Sequence, residues 1–419
     1  MDDKNLSTII DGLNDNPIFK MSLGSKELFH SNFLEFLFYI EPKPQSFIKM
    51  INNLHLDGIQ LQENVEYKLD REKEGFDICI YHKKGKKEVY DLVIENKVKS
   101  IPYKKQLMDY VDKAYKKGPN QCKFILLTLS DEFPDKDDGA VKKNWKVINY
   151  SILKGHIESQ YLKNRQISER DKKYIKDYCD FIGQLDLLKK VLIPNKGQYL
   201  FVQNNKELLE SIRLHDLYIK LRCSWFAVFL KKQLDEKGIN TKVINKFEEL
   251  EYGAVNINVA MNQGNGQIAV WICDFNPKDK DGKKKTNTFE IVIQGNQYRH
   301  GINQQNIPVK DSDNPLKLNE LYNRLSRLAD SRPLDFLNFQ GLYGAFDDCV
   351  NIIPLPDKKK KFKKTNVNKS GPFNYYGDSY IYRFKEIDEI SISQLLKRMV
   401  DEAVLIFNNV PNLYAEKKV

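Results

Sequence analysis

The sequence predicts an α/β fold for residues 1–190 and a separate α+β domain for residues 200–419. Three observations carry that prediction. Up to residue 190 the pattern runs helix, three strands, helix, two strands, which reads as a small α/β domain. Pro194 and Gly197 then interrupt it. Past them, a long helical stretch is followed by strand-like runs joined by short turns, which reads as an antiparallel sheet. The length, 419 residues, agrees with two or three domains at roughly 100–200 residues each.

The first helix runs from Lys26 to Ile40 (KELFHSNFLEFLFYI), is apolar almost all round and therefore buried, and stops at Pro42 and Pro44. Strand-like runs follow at 61–69, 75–82 and 88–97, the last two forming a hairpin with a lysine-rich turn around Gly85. Pro102 opens a helix to about Lys117, which Gly118-Pro119 ends. Strands are expected at 122–130 and 145–150, and a helix at 169–188. In the second half a helical stretch at 205–236 precedes strands at 239–247, 253–262, 267–275 and 287–295. Helices near 315–329 and 391–408, with strands near 348–353 and 378–385, complete it.

Composition excludes several classes. Apolar residues at 41% and aromatics at 11% build real cores, so the chain is not globally disordered. No stretch approaches the ~18 consecutive apolar residues of a membrane helix. The start, MDDKNLSTIIDGL, is acidic and lacks a signal-peptide pattern, so a soluble, cytoplasmic chain with no membrane partner is expected. The six cysteines (Cys79, Cys122, Cys179, Cys223, Cys273 and Cys349) stand singly and read as reduced, mostly buried thiols. HIESQ at 156–160 lacks the second histidine of a zinc-protease helix. DKDG at 279–282 would belong to a calcium loop beginning at Pro277 and ending at Thr288, and neither supplies the needed carboxylate.

The net charge of +10 is concentrated. Residues 83–117 hold eleven Lys against five Asp/Glu, and residues 356–370 hold seven Lys against one Asp. Such patches suit a polyanion, and Lys104 and Lys105 are substrate-binding candidates in the first. The second reads equally well as a solvated lysine loop.

Side chains alternate across a strand. On the first hairpin strand Phe76, Ile78 and Ile80 therefore share one face, with Asp77 and Cys79 on the other. On the second, Tyr90, Leu92 and Ile94 oppose Asp91, Val93, Glu95 and Lys97. A turn centred on Gly85 pairs Asp77 with about Val93 and leaves Glu95 as its diagonal neighbour on an open face, roughly 7–8 Å away at the backbone. Two carboxylates so placed suit Mg²⁺, which takes oxygen ligands and substrate phosphate oxygens. The ion would activate a water and offset charge on a scissile phosphate, while Lys97 stabilises the charged transition state. An ordinary surface salt bridge is the competing reading of these three residues by themselves. Glu35, a carboxylate in an otherwise apolar helix, needs a partner or an ion.

This order of elements resembles the PD-(D/E)XK nuclease superfamily over about residues 20–150. The matching residues are Asp77 in GFDICI, Glu95 and Lys97 in VIENK, and Gln106 in YKKQLMDYV; Phe76-Asp77 stands where the family pattern has Pro-Asp. The helix LFHSNFLEFLF resembles the one that opens many bacterial members. The resemblance implies a restriction-endonuclease-like αβββαβ core with a mixed central sheet and a divalent-metal-dependent nuclease, a DNA endonuclease using Mg²⁺ with Mn²⁺ as a substitute. It implies metal ligation by Asp77, Glu95, the backbone carbonyl of Asn96 and Glu35, with Lys97 acting on the attacking water. Gln106 and Tyr110, one helical turn apart, would contact the substrate backbone, and His30 would position Glu35 or a phosphate. Tyr110 and His30 read equally well as core residues.

A two-domain bacterial nuclease of this kind suggests restriction or phage defence. The subunit count stays open, a homodimer or higher homo-oligomer included. Two alternatives compete: an inactive nuclease fold kept for nucleic-acid binding, and a regulatory interaction protein dominated by its C-terminal half. Against the first stands the complete set Asp77, Glu95, Lys97 and Gln106.

Overall fold

The computed structural model describes residues 3–22, 26–54, 61–98, 101–116, 122–130, 132–194, 197–201, 203–245, 249–251, 253–262, 265–273, 286–305, 374–376, 380–387 and 390–413. The 358–364 lysines, Cys349, the 279–282 loop and the expected elements at 315–329 and 348–353 lie outside them. The chain divides into two compact units, residues 1–194 with 202–225, and residues 195–201 with 226–419. Among the described residues no helix is long and apolar enough to cross a membrane.

The first unit opens with helices α1 (Asp3–Asp15), α2 (Pro17–Ser22), α3 (Lys26–Tyr39) and α4 (Gln45–Leu54). Strands β1 (Tyr67–Arg71), β2 (Ile78–Lys84) and β3 (Lys87–Lys97) follow, then α5 (Lys104–Tyr115) and β4 (Lys123–Thr128). After these come α6 (Gly139–Asn144), β5 (Trp145–Asn149), α7 (Tyr150–Ile157) and α8 (Glu169–Leu192). The five strands lie in the order β1-β2-β3-β4-β5. The first three are antiparallel and the last two add in parallel, so the sheet is mixed as expected.

Local chemistry sets several boundaries. The Ser168 hydroxyl accepts from the Asp171 N–H at 3.1 Å and opens α8. The Asn149 side chain does the same for α7 through the Ile152 N–H at 2.9 Å. The expected helix at 205–236 is two helices, α9 (Gln203–Ser211) and α10 (His215–Glu236). Arg213, at a φ of 55° that no helix interior accommodates, separates them.

Both faces of this sheet are covered. On one, Phe76, Cys79, Val93, Phe124 and Leu126 pack against Leu107 and Val111 of α5. On the other, Ile78, Ile80, Leu92, Ile94 and Ile125 are fully buried, with α3 lying against β1 and β3. The face expected to be open is therefore a second core, because α5 folds back over it.

The hairpin register also differs from expectation. Lys84 pairs with Lys87, so Gly85, at a φ of 65°, and Lys86 form a two-residue turn. Tyr81 pairs with Tyr90, but Ile80 pairs with Leu92, which leaves Asp91 as a bulge. The bulged Asp91 carboxylate is tied to His82 Nδ1 at 2.7 Å. Beyond it Cys79 faces Val93 and Ile78 faces Ile94, so Asp77 comes level with Glu95 and not with Val93. The correction is two residues, an even number, so both carboxylates keep a common face. Tyr90, before the bulge, moves to the side of Cys79 and Val93.

Among the described residues the second unit carries seven strands: β6 (Thr241–Val243), β7 (Val255–Asn262), β8 (Asn265–Cys273), β9 (Thr286–Gln294), β10 (Gln297–Gln305), β11 (Asn374–Tyr376) and β12 (Tyr380–Glu386). Their order is β11-β12-β10-β9-β8-β7-β6, antiparallel except for the β6–β7 pair. Helix α11 (Ile392–Leu413) packs on β8 and β9. Strand β10, whose composition QYRHGINQQ is polar, was not among the expected strands. Tyr298, His300 and Ile302 alternate inward along it and are fully buried.

Candidate active site

Glu95 sits in the central strand β3, facing α5, and only 1% of its surface is exposed. Its Oε1 meets Lys97 Nζ at 2.7 Å and accepts from Gln106 Nε2 at 3.3 Å. Its Oε2 is buried with no hydrogen-bond partner among the described residues. Burial pushes the Glu95 carboxyl up to about 7; Lys97 pulls it down and Asp77 pushes it further up. Asp77, half-buried where the chain enters β2, accepts the Asn96 N–H on Oδ2 at 2.7 Å.

The helix side of the site is built by spacing. Gln106 and Tyr110 lie one turn apart on α5, and Gln106 Nε2 is shared between Glu95 and the Tyr110 hydroxyl at 3.1 Å. The Tyr110 ring packs edge-on against Phe76 at 5.4 Å, so it belongs to the core as well as to the site. Burial raises its hydroxyl pKa, as does the Glu95 charge.

A polar network supports the site from the opposite face of β3. Asn96 points away from Glu95, donates from Nδ2 to Ser31 Oγ at 2.6 Å, and accepts on Oδ1 from the Tyr150 hydroxyl at 3.1 Å. All three residues are buried. They fix Asn96, whose N–H in turn holds Asp77. Neither Ser31 nor Tyr150 was expected here, and no motif spacing marks them; only the packing of α3 and α7 brings them together.

Two expected residues stand elsewhere. Glu35 pairs with Arg71 Nε at 2.5 Å, near the start of the β1–β2 connection, so a guanidinium is its partner. Among the described residues no group of three or more His, Cys, Asp or Glu side chains gathers as a metal site, so Glu35 does not join Asp77 and Glu95. His30 is only 2% exposed, its Nδ1 bonds the Tyr178 hydroxyl at 2.9 Å, and its ring stacks on Phe181. Burial lowers its pKa to about 3, as its place among core aromatic rings requires.

The expected lysine patch is partly neutralised. Lys104 Nζ is held by Asp138 at 2.7 Å, and its N–H is accepted by Asp135. Lys105 is exposed, with Asp109 at 3.5 Å.

Residues 17–180 match the family model of the PD-(D/E)XK nuclease superfamily. No curated protein and no solved structure matches the chain in the same comparisons. The matched segment contains every site residue above, and its mixed sheet with flanking helices is consistent with that fold. The match supports a nuclease, a hydrolase acting on nucleic acid. Nucleases of this superfamily generally use divalent metals. The residues present fit such an ion: Asp77 and Glu95 offer hard oxygen donors, and Glu95 Oε2 is a buried acceptor without a partner. Bound there, a divalent cation would lower the pKa of a water and offset charge on the phosphate.

Proposed function

We propose that this protein is a divalent-metal-dependent DNA endonuclease whose reacting phosphate lies against Asp77, Glu95 and Lys97. The observation that carries the reading is the division of labour on Glu95. Oε1 holds Lys97 and Gln106, while Oε2 is left buried and unpartnered. Such an oxygen is costly unless something cationic meets it. Asp77 and Glu95 would hold the ion, with Mg²⁺ or Mn²⁺ the natural choice for two carboxylates. Lys97 is oriented by Glu95 and offers its ammonium to the attacking water and to charge on the phosphate. Gln106 keeps Glu95 in place and presents an amide to the substrate backbone. A role in restriction or phage defence is the biology we assign to it.

The purified protein incubated with supercoiled plasmid, linear DNA and RNA, under Mg²⁺, Mn²⁺ or EDTA, tests this directly. Nicking or linearisation of the plasmid with either ion and none with EDTA is expected. Cleavage confined to RNA would overturn the substrate, and cleavage that survives EDTA would overturn the metal. The defence role is checked by plaque counts on cells carrying the wild type or Asp77→Asn.

A further inference from the structure

A narrow slot opens beside Lys97, walled by Ile101, Pro102 and Phe133 on one side and by the first turns of α10 on the other. This part of α10 belongs to the first unit but lies outside the residues that match the family model. Leu217 and Leu221, one helical turn apart, are buried and anchor it there. Ser224 also lines the slot, and its hydroxyl donates to the Glu132 carbonyl at 3.3 Å, tying the helix to the loop after β4.

Lys220, one turn before Ser224, lines the same slot and is half-buried. No ion pair or hydrogen bond engages it among the described residues, whereas the slot's carboxylate, Glu132, is paired with Lys136 at 2.8 Å. The other ammonium that lines the slot, Lys97, is already committed to Glu95. A lysine whose stem is partly buried along the slot, with no ion pair among the described residues, suits an anion. The slot has room for about one water, about 10 Å³, so neither a base nor a strand enters it, and a phosphate would meet Lys220 only at its mouth.

We infer that Lys220 contacts a backbone phosphate of the nucleic acid, so that α10 supplies a substrate-binding residue to the site from beyond the matched segment. The inference rests on the nuclease reading of Lys97. It makes residues after 200 part of substrate binding and explains why α10 is clamped beside the site. Since a phosphate contact carries no base information, the effect should be equal across sequences.

The test is fluorescence anisotropy of a short labelled DNA duplex and of a single strand, with Ca²⁺ replacing Mg²⁺ to hold off cleavage. Lys220→Gln should weaken binding severalfold at low salt for every sequence, and flatten the log–log salt slope by about one. Lys220→Arg should restore the slope, which separates charge from folding. In cleavage assays the Gln variant should raise KM more than it lowers kcat. A Gln variant with the wild-type slope and affinity overturns the inference, as does a wild type that binds neither DNA nor RNA. A wild type that binds but never cleaves defeats the nuclease reading alone, and the slope still decides Lys220.

Discussion

Each unit buries one glutamate in a middle strand of its sheet, Glu95 in β3 and Glu290 in β9, and burial pushes both carboxyls up to about 7. Their surroundings differ. Glu290 lies between Trp271 and Gly301 on the neighbouring strands, and hydrogen bonds from Asn303 and Tyr380 oppose its rise. The Tyr380 ring covers Gly301 so closely that a Cβ there would strike it. Neutral donors thus satisfy Glu290 from within its own sheet. Glu95 instead meets an ammonium, a second carboxylate and an amide, and keeps one oxygen without a hydrogen-bond donor among the described residues. Burial and a raised pKa are common to both. What marks a candidate site is the capacity left over for a ligand.

The largest effect should come from emptying that capacity. Asp77→Asn and Glu95→Gln should each lower plasmid cleavage by roughly a thousandfold or more, the scale of several kcal/mol of lost charge stabilisation. Glu290→Gln should cleave like the wild type. Should Glu290→Gln silence a folded protein while Glu95→Gln stays active, the contrast between the two glutamates would be reversed.

Lys97→Ala comes next. It should slow the chemical step by roughly a hundredfold, the scale for one preorganised charge-stabilising group. Calorimetry should find Mg²⁺ affinity retained, because an ammonium cannot ligate a cation. A variant that loses metal binding and rate together would make Lys97 a support for Glu95 and nothing more.

The pH response sharpens the comparison. An ordinary glutamate titrates near 4.5, so between about 4.5 and 7 the folded protein keeps protons that the unfolded chain has released. Stability therefore falls as pH rises through that window and levels off above it, by at most about 3 kcal/mol for each glutamate. Either Gln variant should flatten the fall in Tm. Mg²⁺ added at pH 8 should raise Tm in the wild type and in Glu290→Gln but not in Glu95→Gln. Equal Mg²⁺ responses in all three would place the ion elsewhere.

Glu35→Gln should have the smallest effect. Its Arg71 pair leaves about a third of each side chain exposed, so the loss of stability should stay below about 1 kcal/mol. The cleavage rate should not change. A large loss of rate would bring Glu35 back to the metal.

Much of the first unit was legible because its signals are local. The strand at 88–97 is observed as Lys87–Lys97, and the 169–188 helix as Glu169–Leu192. Helices α1, α4 and α7 went unread, since short amphipathic stretches such as QSFIKMINNL resemble loop or strand until a partner surface is known. The helix at 205–236 was read through Arg213, because no Gly or Pro announces the break.

By itself the sequence determined which residues could do chemistry and, through the two-residue pleat, that Glu95 and Lys97 share a face. Only the tertiary structure decided the rest. The bulge at Asp91 brought Asp77 level with Glu95, the fold of α5 over the sheet drove Glu95 to its raised pKa, Arg71 drew Glu35 aside, and α10 delivered Lys220. The physical reason is range. Alternation is written into each strand, whereas desolvation and charge pairing depend on groups that lie far along the chain until folding brings them within a few ångströms.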